Sequence, residues 1–263
     1  HRKRRRQSKR KPCTKGAAFA LAPLRIRRTP VTGTLRTFHM APKLQISRRM
    51  EIEFRGAAGE VTGSKHLVRT EKSTILLDCG LFQGHRREAN ERNRELGLPV
   101  RELTAVVLSH AHIDHSGALP ILVKHGYRGP IFTTPATRDL CAAMLTDSAM
   151  IQESDARYIN KAIESDYSPM EPVEPLYTTE DVEQVLRQIV SVPYRHAHRI
   201  SVDVVLTFLD AGHVLGSAIC VLDVDDVGET KRIAFTGDLG RADMPLLRDP
   251  EVPRGVELLM LCP

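Results

Sequence analysis

The run "TAVVLSHAHIDHSGALPIL", residues 104–122, constrains this chain more than any other stretch. Its apolar start reads as a short buried strand. Directly behind it stand His110, His112, Asp114 and His115, four ligand-type side chains in six positions. In an extended segment residues two apart point to the same side, so His110 and His112 leave the strand end together. Asp114 and His115 fall where a helix begins and take a different bearing. One strand-to-helix loop thus offers two clusters, and neutral imidazole with carboxylate suits Zn²⁺ at about 2.0–2.2 Å. A solvated, His-rich loop is the competing account, but so dense a set of donors between an apolar strand and a Gly-containing helix start weighs against it.

The flanking sequence supplies further strands whose ends carry chemistry. "STILLDCG" reads as a buried strand ending at Asp78, and "GPIFTT" as another. "FLDAGHVLGSA" sets His213 in a Gly-flanked turn after a strand, and "RIAFTGDLGR" sets Asp238 at the end of a buried one. Asp78 is suited to fixing the tautomer and orientation of a ligand histidine. Helices are expected over "HRREANERNREL", "GALPILVKHG" up to Gly126, "PATRDLCAAMLTDSAMIQ" with proline at its first position, and "TTEDVEQVLRQI", where Thr178 and Asp181 have capping-box spacing. Residues 151–176, rich in Ser, Asp and Pro, read as an irregular excursion. Strands at both ends with helices between suit an α/β (α+β) architecture of αββα layers better than a strictly alternating parallel sheet.

The net charge of +6 is misleading, because residues 1–50 hold 16 Lys/Arg and no acid, leaving 22 basic against 32 acidic residues in 51–263, a net of −10. The basic segment 1–49 has no periodicity and is expected to be a disordered tail. Composition and position favour residues outside the natural product, since Met50 directly precedes the first clean strand; an RNA-binding arm and a targeting peptide are the other readings. The domain proper is expected over 50–263. Five scattered cysteines without a Cys-x-x-Cys pair read as thiols of a reducing compartment, the cytoplasm, and no apolar run is long enough to span a bilayer.

His-x-His-x-Asp-His after a strand resembles the hallmark of the metallo-β-lactamase fold. "FRGAAGEVTGSKHLV", "ILLDCGLFQG", "DAGHVLGSA" and "IAFTGDLGR" are similar to its RNA-processing branch, the β-CASP nucleases, and the resemblance runs from about Met50 to the last residue. It implies an αββα sandwich and a zinc-dependent phosphodiester hydrolase acting on RNA, endonucleolytic and in some members also 5′→3′ exonucleolytic. By the same resemblance Asp78 is the family's first acid, and His110, His112 and His213 hold one zinc. Asp114 and His115 hold the second, and Asp238 bridges both. Two zincs then ready a hydroxide for in-line attack on phosphorus, which Asp114 helps to aim. RNA is the implied partner, with a homodimer of the longer parent as a further option.

The sequence departs from that pattern after "GVELLML". Family members continue into an acidic residue and an inserted domain that supplies the second zinc's distal histidine and a general acid, whereas Cys262-Pro263 stand here. The chain is therefore expected to be C-terminally truncated, poorly soluble and inactive by itself. Competing functions are a thioester or lactone hydrolase of the glyoxalase type and a DNA-directed nuclease on the same fold. A non-enzymatic partner subunit is disfavoured because His110, His112, Asp114, His115, His213 and Asp238 are all retained.

Overall fold

Alternating and continuous apolar runs pair into two sheets whose strand ends converge on one edge. The computed structural model describes residues 43–46, 50–165, 171–226 and 228–262, apart from the side chains of Arg86 and Arg87. In chain order the elements are β1 (Lys43–Gln45), β2 (Glu51–Phe54), β3 (His66–Arg69), β4 (Thr74–Leu77), α1 (Arg86–Arg94), β5 (Ala105–Val107), α2 (Ile113–Ser116), α3 (Leu119–Lys124), β6 (Ile131–Thr133), α4 (Pro135–Ser165), α5 (Thr179–Gln188), β7 (Ile189–Ser191), β8 (His198–Arg199), β9 (Val204–Asp210), β10 (Ala218–Asp226), β11 (Glu229–Phe235) and β12 (Leu258–Met260).

The first sheet has the order β1-β2-β3-β4-β5-β6-β7, antiparallel up to β4 and parallel from β4 to β7. The second has the order β12-β11-β10-β9-β8. Because β10 is antiparallel to both β9 and β11, those two run the same way and end at the same edge. Side-chain alternation then divides the core. Ile75, Leu77, Ala105 and Val107 face Leu206, Phe208, Cys220 and Phe235 between the sheets. Leu76, Val106 and Leu108 face α3, α4 and α5 on the other side, against Leu122, Leu145 and Val185. Strands β4 and β5 are buried on both faces, hence their unbroken apolar runs. Among the described residues, the outer face of the second sheet carries a small cluster, Ala211, Ile219, Val221 and Ala234.

Two expectations need correction. Most of the basic 1–49 segment lies outside the described residues, but Lys43–Gln45, assigned to its tail, form β1 and pair with β2 in register Lys43↔Glu53 to Gln45↔Glu51. Leu44 between two polar residues is the shortest form of a strand pattern, and Lys43 adds an ion pair to Glu51 at 2.9 Å. The excursion assigned to 151–176 is helical up to Ser165, as part of the 31-residue α4. Residues 151–165 contain no Gly or Pro, and buried Cys141, Leu145, Ala149 and Ala156 recur at helical spacing, which outweighs the Ser and Asp content. Short strands β7 and β8, which no expectation covered, extend the two sheets. The capping box of α5 is formed as the spacing implied: the Thr178 amide donates to Asp181 Oδ2 at 2.9 Å, and the Asp181 amide donates back to Thr178 Oγ1 at 3.4 Å.

Candidate metal centre

Each strand of the converging edge delivers one donor-bearing turn. β4 leads directly to Asp78, β5 runs out through Ser109 and His110 into α2, β9 leads to His213, and β11 leads to Asp238. The turns are stitched together by backbone bonds: Ala218 N to Ser109 O at 2.9 Å joins the sheets, and Cys79 N to His115 O at 2.7 Å joins β4 to α2. Two glycines permit the close approach. A Cβ on Gly80 would lie 1.5 Å from the Asp114 carbonyl oxygen, and one on Gly240 would lie 1.7 Å from the Gly212 carbonyl oxygen. The second contact is what brings the His213 and Asp238 turns together.

At the centre, His112 Nδ1 lies 3.1 Å from His110 Nε2 and 3.2 Å from His213 Nε2. Asp238 Oδ2 lies 3.7 Å from His110 Nε2 and 3.4 Å from His213 Nε2. A tetrahedron whose centre is about 2.0–2.1 Å from each vertex has edges of about 3.3–3.4 Å, a value that these four separations bracket, so the group has the spacing of a metal-ligand set. Facing lone pairs at this distance repel unless a proton or a cation lies between them. Asp238 also presents Oδ1 to His115 Nε2 at 3.3 Å. One carboxylate therefore spans two donor groups, His110–His112–His213–Asp238 and His115–Asp238–Cys262, each with its donor atoms within 4.8 Å of one another.

Asp78 orients two of these imidazoles. It is fully buried and accepts from the Ser109 amide at 2.8 Å, Ser109 Oγ at 2.9 Å and His115 Nδ1 at 2.7 Å. A carboxylate only accepts, so His115 carries its proton on Nδ1 and turns Nε2 to the centre. Ser109 spends its hydroxyl proton on Asp78, so at 3.0 Å it accepts from His110 Nδ1, and His110 likewise turns a bare Nε2 inward. Burial first, then the charge of neighbouring His115, holds His110 down at about 3, which keeps it a neutral donor. Burial also lowers His213. Burial opposes charge on His115 as well, but hydrogen bonds to Asp238 and Asp78 outweigh it and raise its pKa. Asp238 is lowered by the same pairing against its own burial penalty. A cation held between them by His115 Nε2 and Asp238 would stand in for the His115 proton.

The six expected ligands do not converge equally. His110, His112, His115, His213 and Asp238 come into mutual contact, whereas Asp114 stands off, reaching His115 Nε2 at 3.9 Å. Consecutive residues on a helix diverge, and the Asp114 carbonyl oxygen is tied to the Ser64 amide at 2.9 Å. Residue-by-residue reading missed Ser109, Ser64 and His66. Ser64 Oγ lies 3.5 Å from Asp78 Oδ2 and 3.3 Å from His66 Nε2. His66, between the Phe54 and Phe235 rings at 5.3 Å each, is driven down to about 4 by burial and backs this network as a neutral ring. The signal available was a polar residue at each buried strand end. Cys262 was noticed only as a departure from pattern.

A sandwich of two sheets with a histidine-rich strand end of this kind defines a metallo-β-lactamase domain, and residues 58–131 match the metallo-beta-lactamase superfamily. The chain is 36% identical over 205 residues to ribonuclease TTHA0252 of Thermus thermophilus, which covers 78% of this chain and 41% of that protein. It is 35% identical over 181 residues to the transcription termination factor FttA of Cenarchaeum symbiosum, covering 68% of this chain and 26% of the factor. The chain thus spans less than half the length of these relatives. Among solved structures, a metallo-β-lactamase with a HARLDQ motif from Cronobacter sakazakii superposes with a TM-score of 0.45 at 16% identity, over 78% of this chain and 67% of that one. No described helix is long and apolar enough to cross a membrane.

Proposed function

We propose that the protein is a zinc-dependent phosphodiester hydrolase of the β-CASP branch, cutting RNA endonucleolytically. The observation that carries this reading is the convergence of His110, His112, His213 and Asp238 at ligand spacing, with Asp238 turned also to His115. Relatives named as a ribonuclease and a transcription termination factor support RNA as the substrate class. Bound zinc would lower the pKa of water to near neutrality and offset phosphate charge.

The chain's own residues do the rest. His110, His112 and His213 would hold one ion with Asp238, while His115 faces the other oxygen of the same carboxylate. Asp78 keeps the His110 and His115 rings in the ligating tautomer, directly and through Ser109. Asp114, partly exposed at the pocket, can accept a hydrogen bond from the attacking water and aim it. Asp114, His213 and Asp238, each about a quarter exposed, are the members of the set open to a substrate phosphate.

The test uses the full-length gene product loaded with zinc and offered circular RNA, circular single-stranded DNA of the same sequence, and a thioester. Circular RNA is expected to be cut, which an enzyme acting only from an end cannot do. Asp114→Ala should slow that cleavage about 10²–10⁴-fold, the usual worth of a positioned acid–base group, with the fold retained. Turnover of the thioester with RNA untouched would overturn the proposal in favour of a small-molecule hydrolase.

A further inference from the structure

We propose that Cys262 is a metal ligand, supplying a thiolate that completes the second donor group with His115 and Asp238; this rests on the metal-centre reading above. Strand β12 runs parallel to β11 with Phe235↔Met260 in register, so the exits of the two strands leave side by side. Two bonds fix that exit: Thr236 N to Met260 O at 3.0 Å, and Cys262 N to Thr236 Oγ1 at 3.1 Å. Met260 is buried between the sheets, and Cys262, two residues on, packs against the same inter-sheet cluster. Its Sγ stands within 4.8 Å of the His115 and Asp238 donor atoms.

The chemistry of the group is specific. His115 is 1% exposed, and Asp78 occupies its Nδ1, which leaves Nε2 for the group interior. Sulfur, imidazole nitrogen and carboxylate oxygen together form a set typical of zinc, with a fourth position left for water or substrate. Thiolate is a soft ligand that favours Zn²⁺ or Co²⁺ over Mn²⁺ and Mg²⁺, so Cys262 makes the second group selective where a carboxylate in its place would not. On binding, the S–H bond breaks, a sulfur–metal bond forms and the proton leaves to solvent. The other described cysteines, Cys79, Cys141 and Cys220, are buried in the core and belong to neither donor group.

Cobalt titration of the metal-free protein tests this, because cobalt reports its ligands by colour. Two equivalents should bind, and a sulfur-to-cobalt charge-transfer band in the near ultraviolet should grow with only one of them. Cys262→Ser should lose that band and weaken one equivalent about tenfold or more, while the visible bands of the histidine-rich group persist. Cys262→His should restore the second equivalent without the sulfur band. Visible cobalt bands with no sulfur band in the wild-type protein, or a sulfur band that survives Cys262→Ser, would overturn the proposal and leave the metal centre standing. Failure to bind any cobalt would remove the metal centre and this inference together.

Discussion

Asp238→Asn is expected to reduce bound zinc from two equivalents to less than one and to slow RNA cleavage by on the order of 10³-fold or more. The reasoning starts from the two oxygens of Asp238, one 3.4 Å from His213 Nε2 and the other 3.3 Å from His115 Nε2. Loss of an outer hydrogen-bond partner of a metal ligand already costs about 10–100-fold in affinity or activity, and a ligand shared by two groups must cost more. Asparagine keeps the volume but removes the charge that helps to raise His115 and to balance a divalent cation. The side chain is about a quarter exposed and outside the apolar core, so the far-ultraviolet circular dichroism spectrum should not change. Metal analysis of wild-type and variant protein, dialysed side by side, checks it. Retention of both equivalents would show that Asp238 is not shared.

Asp78→Ala should act mainly through stability. Its carboxylate is fully buried and satisfies the Ser109 amide, the Ser109 hydroxyl and His115 Nδ1. Deleting it strands three buried donors, and breaking a buried charged network by removing one partner costs about 3–5 kcal/mol. For a domain of this size that lowers Tm by roughly 10 °C. Asp78 also has φ +56°, a left-handed conformation that Asp and Asn tolerate better than Ala. Asp78→Asn should therefore lose less stability than the alanine variant, yet still misdirect His110 and His115, because an amide cannot accept all three bonds. A thermal melt of Asp78→Ala within 2 °C or so of wild type would contradict this reading of the network.

Much of this was legible in the sequence because the informative signals are local. His110, His112 and His115 follow one strand within six positions, β4 and β9 to β11 announce themselves through apolar runs closed by Gly, and β5 and β6 through short apolar runs. His213 and Asp238 stood out as polar residues at Gly-flanked strand ends, although their meeting with the His110–His115 loop joins two sheets, as in the His112–His213 contact between residues 101 apart in sequence. Less visible was anything set by register between elements. Ser109 matters because of where its hydroxyl proton goes, and Cys262 because β12 lies beside β11. Composition misled at α4, where Ser and Asp disguised a continuous helix, and at β1, whose three residues were hidden by the charge around them.

The most direct measurement is an anomalous difference map at the zinc absorption edge, from crystals grown with zinc. One peak is expected among His110 Nε2, His112 Nδ1, His213 Nε2 and Asp238 Oδ2, and a second beside His115 Nε2 against the other Asp238 oxygen. A map with no peak among the three histidines, or with zinc only elsewhere on the molecule, would contradict a metal centre at this strand edge.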